Sequence, residues 1–245
     1  MQATQLGETP RQKFLRGLRD GVPIGLGYLS VSFAFGITAV SRGVPGWIAL
    51  LISMTNLTSA GQLAGLDLMV LGCAMGEMIL TQCVINMRYA LMSVSLSQKV
   101  DTTVRLRDRF LIAFGNTDEV FAVATSNPGE VKRNYMFGLI LTPYLGWTFG
   151  TLFGAIAGNV LPAMVTASLG VAIYAMLIAI VVPEAKKRSC TAICVCIAVL
   201  LSCIFRFVPA LCKIPQGFVI IICAVTASVL LAILSPVPQV ESEDV

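Results

Sequence analysis

The side chains best suited to chemistry are two adjacent carboxylates in apolar sequence. Asp118 and Glu119 lie at the centre of residues 110–126, which read FLIAFGNTDEVFAVATS. Asn116 and Thr117 precede them, and both residue types cap helix N-termini, where acidic side chains suit the unpaired N–H groups. One interpretation is a capped helix start at a surface. The apolar flanks favour another, in which a buried carboxylate binds an ammonium group or carries a proton.

A second polar group interrupts the charge-free sequence of residues 43–66. The tetrapeptide SAGQ (residues 59–62) combines small residues with the amide of Gln62. This pattern is typical of a broken helix whose free N–H groups can receive a carboxylate. A plain turn between two helices explains it equally well.

Glu77, Thr81 and Arg88 form a third group, because separations of four and seven residues place them on one helical face. Eleven residues of helix span about 16 Å, so Glu77 lies too far from Arg88 for direct contact. We therefore expect Arg88 to pair with Asp118 or Glu119. The alternative is an arginine that extends to a membrane surface.

The elements that must position these groups are membrane helices. Hydrophobic residues make up 56 % of the chain, charged residues 12 %, and the mean hydropathy is +0.84. Residues 138–183 contain no charged side chain, and this run is long enough for two crossings of about 20 residues each. Four further charge-free segments each span or nearly span a bilayer: 21–41, 43–66, 189–205 and 214–240.

These segments predict an all-α, polytopic membrane protein with about 6–8 transmembrane helices, some of them broken or re-entrant. One transmembrane domain (21–237) is expected between a cytoplasmic basic segment (1–20) and an acidic C-terminal tail (238–245). We expect the first helix to run from about Val22 to Val40.

Composition argues against several functions. The net charge of +4 comes from residues placed between apolar segments, which indicates membrane topology and no nucleic-acid partner. The eight cysteines form no CxxC pair and histidine is absent, so we expect no metal and no cofactor. Without a histidine base or a phosphate-binding loop, we expect no enzymatic activity.

Basic residues define the expected orientation. Clusters at 11–19, 99–109, 132–133 and 186–188 are all assigned to the cytoplasmic side, together with the N-terminus. The chain must then return from an outer turn near Arg42 by one crossing, or by three made of 47–60, 66–81 and 82–97. Residues 110–126 lie between two cytoplasmic clusters, which predicts a re-entrant segment or a broken hairpin. Two outer hairpins are expected within 135–183 and 189–235.

Small residues indicate close helix packing. Glycines recur every four residues from Gly146 to Gly158, a GxxxG ladder suited to contact within the chain or with a partner. The pair Gly27-Tyr28 resembles Gly146-Trp147, and similar residues follow each pair. This weak echo suggests an internal repeat of the kind found in transporters, although glycine and aromatic residues are common in membrane helices.

Six sequence blocks, in order, resemble the AzlC-type family of bacterial branched-chain amino acid exporters. They cover most of the chain from residue 15 to 185. The blocks are PIGLGYLSVSFAFG (23–36), SAGQL (59–63), NMRYALMS (86–93), NTDEVFAVA (116–124), LGWTFGTLFGAIAGNVLP (145–162) and LGVAIYAMLIAIVVP (169–183).

The resemblance implies export of branched-chain amino acids such as valine across the bacterial inner membrane. We expect a permease that works by alternating access, with methionine also among the candidate substrates. It also implies a small AzlD-type membrane protein as partner. The alternatives are a non-transporting scaffold subunit and a passive channel. The motif positions expected to bind substrate are Gln62, Asn86, Arg88, Asp118 and Glu119.

The chain departs from the family at one motif position. Family members usually show Arg-His where this chain has Arg88-Tyr89. Proton coupling would therefore have to use a carboxylate, with Asp118, Glu119 and Glu77 as the candidates.

Overall fold

The regular structure of the chain is helical. The computed structural model describes residues 9–102, 104–160, 178, 181–183, 185–186, 189–208, 211 and 214–234. Its helices are α1 (Pro10–Ser41), α2 (Gly46–Thr55), α3 (Ser59–Val70), α4 (Met75–Lys99), α5 (Leu106–Phe114), α6 (Asp118–Ser126), α7 (Arg133–Val160), α8 (Ser189–Phe207) and α9 (Gln216–Leu234). Within the described residues, five helices are long and apolar enough to cross a membrane, namely α1, α4, α7, α8 and α9. The predicted all-α, polytopic class is confirmed.

Helix α1 begins earlier than the sequence suggested. Its first residue is Pro10, and Thr9 and Gln12 form a reciprocal capping box before it. The expected start near Val22 is therefore wrong, and part of the basic segment is the first turns of α1. Two helices were expected within 135–183; the part of that range after α7, residues 161–183, lies outside the described residues apart from isolated positions, and so does the tail at 238–245.

Helices α1 and α7 pack backbone against backbone. A Cβ atom added at Gly146 would lie 2.2 Å from the carbonyl oxygen of Gly25, and one at Gly154 would lie 2.0 Å from that of Phe33. The contacting positions advance together along both helices, so the two helices run parallel. The glycine ladder therefore packs within the chain, as one of the two expected alternatives proposed.

We predict that Gly154→Ala destabilises the protein, because the added methyl group meets the Phe33 backbone, which cannot rotate away. Overpacking of this kind costs about 1–3 kcal/mol, and it should lower the melting temperature in detergent. Gly76→Ala is the matched control, since a Cβ at Gly76 would meet nothing within 4 Å. Equal melting temperatures for the two variants would contradict the contact.

Helices α2 and α3 form a hairpin that enters and leaves at the same end of α1. Arg42, just after α1, forms an ion pair with Asp67 near the end of α3. Ala49 of α2 and Leu66 of α3 share a buried cluster with Phe35 of α1. The chain reverses at residues 56–58, between the two helices.

Helices α5 and α6 form a second hairpin at the opposite end of α1. Val100 and Val131, which flank the hairpin in sequence, form a β-bridge. Lys132 pairs with Asp101, and the hydrogen bond to that carboxylate raises the pKa of Lys132 above its ordinary value. Each helix has nine residues, or about 13.5 Å, less than half of a 30 Å hydrocarbon layer. This is the broken hairpin that the sequence predicted for residues 110–126.

The two hairpins correct the expected path between residues 47 and 97. Helix α4 runs without interruption from Met75 to Lys99, so the predicted division into segments 66–81 and 82–97 is wrong. The turn lies instead at residues 71–74, where Gly72 has φ +66°. Since the α2–α3 hairpin begins and ends at one end of α1, α4 is the one helix between residues 47 and 99 that is long enough to cross a membrane, which fits the alternative with a single crossing.

The basic ends of several elements lie together, as the orientation argument predicted. Asn134, next to the basic pair at 132–133, donates a hydrogen bond to the Pro10 carbonyl at the start of α1, at 3.2 Å. Arg133 pairs with Asp108 of α5 at 2.9 Å. Helices α8 and α9 pack together as the expected hairpin. That the basic end is cytoplasmic stays a prediction.

We predict that both ends of the α5–α6 hairpin lie on one side of the membrane. The test uses single cysteines introduced into a variant in which the eight native cysteines are replaced. Arg107→Cys lies in the first turn of α5 and Glu130→Cys follows α6, so both mark the open end of the hairpin, and an impermeant maleimide should label both from one side of the membrane. Ser41→Cys, at the far end of α1, should be labelled only from the other side. Labelling of Arg107→Cys and Glu130→Cys from opposite sides would show that residues 106–126 cross the membrane.

Candidate functional site

A cavity of about 770 Å³ lies where the two hairpin reversals approach α1, α4 and α7. This volume falls in the range of roughly 300–1,000 Å³ that is usual for small-molecule sites. Three charged side chains and a mostly apolar wall line it. The described lining residues are Pro23, Ile24, Gly27, Tyr28, Val31, Leu57, Ser59, Ala60, Ile85, Arg88, Tyr89, Asp118, Glu119, Trp147 and Val181.

Two helix N-termini point their first turns at this cavity. The Thr58 hydroxyl caps α3 by accepting from the Gly61 N–H, at 3.3 Å, and Ser59 and Ala60 form the wall. Thr117 caps α6 in the same manner, with Asp118 and Glu119 in the first turn. The first N–H groups of a helix have no partner within it and carry partial positive charge, which favours carboxylates here. The predicted cap at residues 116–119 is confirmed.

Arg88 faces the cavity and is held on several sides. Its Nη1 lies 2.6 Å from the Asp118 carboxylate, so one of its two predicted partners is confirmed. Its Nη2 donates to the Tyr89 hydroxyl at 3.1 Å, and its guanidinium lies 4.8 Å from the centre of the Tyr89 ring. Tyr89 therefore stacks on Arg88 and also accepts a hydrogen bond from it.

Tyr28 is a site residue that sequence reasoning missed. Its hydroxyl donates a hydrogen bond to the Glu119 carboxylate, and its ring meets the Trp147 ring edge-on with centroids 5.1 Å apart. The signal was a tyrosine within the charge-free residues 21–41 of α1. A phenol within an apolar membrane segment usually needs a polar partner.

Gln62 lies behind the cavity wall. It is 1 % exposed, and its Nε2 donates to the Ser53 hydroxyl at 2.8 Å. Ser53 in turn shares a 2.7 Å hydrogen bond with Thr151 of α7. The expected place of Gln62 in direct reach of a ligand is thus corrected: its amide ties α2, α3 and α7 together at the reversal.

Asn86 also lies outside the cavity wall. It donates to Gln82 at 3.1 Å, and Gln82 donates to the carbonyl oxygen of Gly61 at 2.8 Å. This chain of amides fixes the first turn of α3 against α4. The structure therefore places Asn86, like Gln62, where it supports the N-terminus that faces the cavity.

Glu77 is far from the other predicted site residues. Its buried carboxylate accepts the backbone N–H of Gly217, in the first turn of α9, at 2.6 Å. A Cβ at Gly217 would lie 2.6 Å from Glu77 Cγ, so glycine is needed for this approach. Glu77 thus caps α9, and the structure does not bring it to Asp118 or Glu119.

The fold and the cavity define a polytopic helical membrane protein with a charged site at two helix breaks. The AzlC protein family matches residues 23–161. The inner membrane protein YgaZ of Escherichia coli is 30 % identical over 183 residues, covering 71 % of this chain and 74 % of YgaZ. A membrane protein of Archaeoglobus fulgidus is 33 % identical over 177 residues, covering 71 % of this chain and 77 % of its own.

A membrane protein of Helicobacter pylori is 26 % identical over 154 residues, covering 60 % of this chain and 67 % of its own. No solved structure matches the chain. The chain belongs to the AzlC family, and the expected family is confirmed. The matched range contains every predicted site residue and both helix breaks.

We predict that Arg88 and Asp118 stabilise the protein as a pair. Arg88→Gln and Asp118→Asn should each lower the melting temperature, because each leaves one charge without its partner. The double variant should lose less stability than the sum of the losses in the two single variants. The difference, the coupling free energy, should be about 0.5–3 kcal/mol, as is usual for residues in contact. Strict additivity in a thermal double-mutant cycle would show that the pair contributes nothing.

Proposed function

We propose that this chain is the large subunit of a secondary exporter of branched-chain amino acids. The observation that carries the proposal is the placement of one guanidinium and two carboxylates beside an apolar wall in a single cavity. A free amino acid presents the same combination: a carboxylate, an ammonium group and, for valine, a branched apolar side chain. Membership of the AzlC family supports the same conclusion.

Each part of the cavity has a proposed role. Arg88 and the first amides of α3 bind the substrate carboxylate, because both offer positive charge from one side. Asp118 and Glu119 bind the ammonium group, or carry a coupling proton in its absence.

The side chain of the substrate lies against apolar residues. The wall provides Pro23, Ile24, Val31, Leu57 and Ile85. Burial contributes about 0.8 kcal/mol per CH₂. Such a pocket discriminates between substrates that differ by one methylene by only about 10–200-fold. Valine, isoleucine, leucine and methionine are therefore all proposed substrates.

Transport proceeds by alternating access in the bacterial inner membrane, with a small AzlD-type protein as partner and without enzymatic chemistry. Gln62 and Asn86 act indirectly in this scheme. They hold the first turn of α3 at the cavity through Ser53 and Gln82. The α2–α3 reversal would shift only if these hydrogen bonds break.

The test is valine efflux from cells loaded with a valine-containing dipeptide. Cells expressing the chain with its small partner should export valine faster than cells with an empty vector. Asp118→Asn should abolish the difference at equal membrane abundance, since it removes a charge from the cavity. Glu130→Gln, an acidic residue outside the cavity and 61 % exposed, is the matched control and should export normally.

Three results would overturn parts of the proposal. No efflux from the intact pair removes the support for valine export. Normal efflux by Asp118→Asn removes this residue from the mechanism. Flux that never exceeds the imposed valine gradient indicates a passive channel and contradicts alternating access.

A further inference from the structure

The charges that line the cavity do not balance. The described wall contains one cation, Arg88, and two carboxylates, Asp118 and Glu119. A ligand that enters this cavity leaves water and faces these groups at close range, where like charges are costly and opposite charges are favoured. The wall thus has one more carboxylate than full cations. The α3 N-terminus adds only partial positive charge, worth about 0.3–1 kcal/mol to an anion, so the wall favours positive charge on the ligand.

The single cation is already occupied. Arg88 contacts Asp118 at 2.6 Å, donates to the Tyr89 hydroxyl and lies over the Tyr89 ring. A substrate carboxylate can bind Arg88 only by competing with Asp118 for it. The net free energy of this exchange is the difference between two similar ion pairs, so it is small.

The second carboxylate has a neutral partner. Glu119 accepts its hydrogen bond from the Tyr28 phenol, which brings no formal charge. An ammonium group that binds Glu119 thus adds a charge pair without breaking one. The aromatic rings of Tyr28 and Trp147 border the same wall, and aromatic faces attract cations.

We infer that the cavity recognises the ammonium end of its ligand and does not require the carboxylate, so that short branched alkylamines are also ligands. This inference rests on the proposed function, because it concerns the same cavity. It extends the ligand class from branched-chain amino acids to primary amines with the same side chain. Carboxylic acids without an amino group are excluded.

The experiment compares the binding of three small molecules to the reconstituted chain with its small partner present: L-valine, isobutylamine and isovalerate. The chain has two tryptophans. Trp47 is 68 % exposed on α2, whereas Trp147 is 2 % exposed and lines the cavity. A Trp47→Phe background therefore isolates the fluorescence of Trp147, and titration calorimetry provides an independent measure of binding.

Isobutylamine should bind with a Kd within about tenfold of that of valine, and isovalerate at least about 100-fold more weakly. Binding of valine together with failure of isobutylamine would overturn this inference and leave the proposed function intact. Failure of all three ligands, in both measurements and with the small partner present, would overturn the inference and the proposed function together.

Two variants with the same change in formal charge give the sharpest test. Glu119→Gln removes the group that receives the ammonium, so isobutylamine binding should fall at least about tenfold, and Glu119→Asp should restore part of it. Asp118→Asn frees Arg88, so isovalerate binding should rise. The same response from Glu119→Gln and Asp118→Asn would contradict the assigned roles.

Discussion

The close contact between α1 and α7 is the constraint on which the remaining architecture depends. Glycines at positions such as 25, 146 and 154 let the two backbones meet with no side chain between them. In lipid there is little hydrophobic gain from bringing two helices together, so close van der Waals packing has to supply the affinity. The resulting parallel pair gives each hairpin a fixed surface: α2 and α3 lie at one end of α1, and α5 and α6 at the other.

The two hairpins meet the requirement that unwound backbone in a membrane be buried in protein or line a wet cavity. Thr58 and Thr117 cap the helices that follow the reversals, and buried amides secure one of them from behind. Both reversals direct a helix N-terminus toward one cavity from opposite ends of α1. The partial positive charge of these termini lowers the cost of holding Asp118 and Glu119 there.

The sequence was most informative where charge allowed few alternatives. Basic residues on both sides of 110–126 required that segment to turn back, and the chain on its two sides meets at the Val100–Val131 bridge. Arg88 needed a partner, and helix geometry had already excluded Glu77. Contacts between helices could not be predicted from the sequence, because spacing along the chain does not say which neighbouring helix a polar side chain contacts. For this reason the partner of Tyr28 and the hidden position of Gln62 emerged only from the structure.

The pairing within the cavity also bears on how a charged ligand could be carried through a membrane. An unpaired charge at this depth costs several kcal/mol, so a carrier gains if its charges are covered both when empty and when loaded. In the structure Asp118 pairs with Arg88, and Tyr28 donates a hydrogen bond to Glu119. A zwitterion can take over these partners one at a time: its carboxylate replaces Asp118 at Arg88, and its ammonium group lies between the freed Asp118 and Glu119. Each charged group then has a partner both before and after the ligand binds. The ligand can therefore leave the cavity without exposing an unpaired charge.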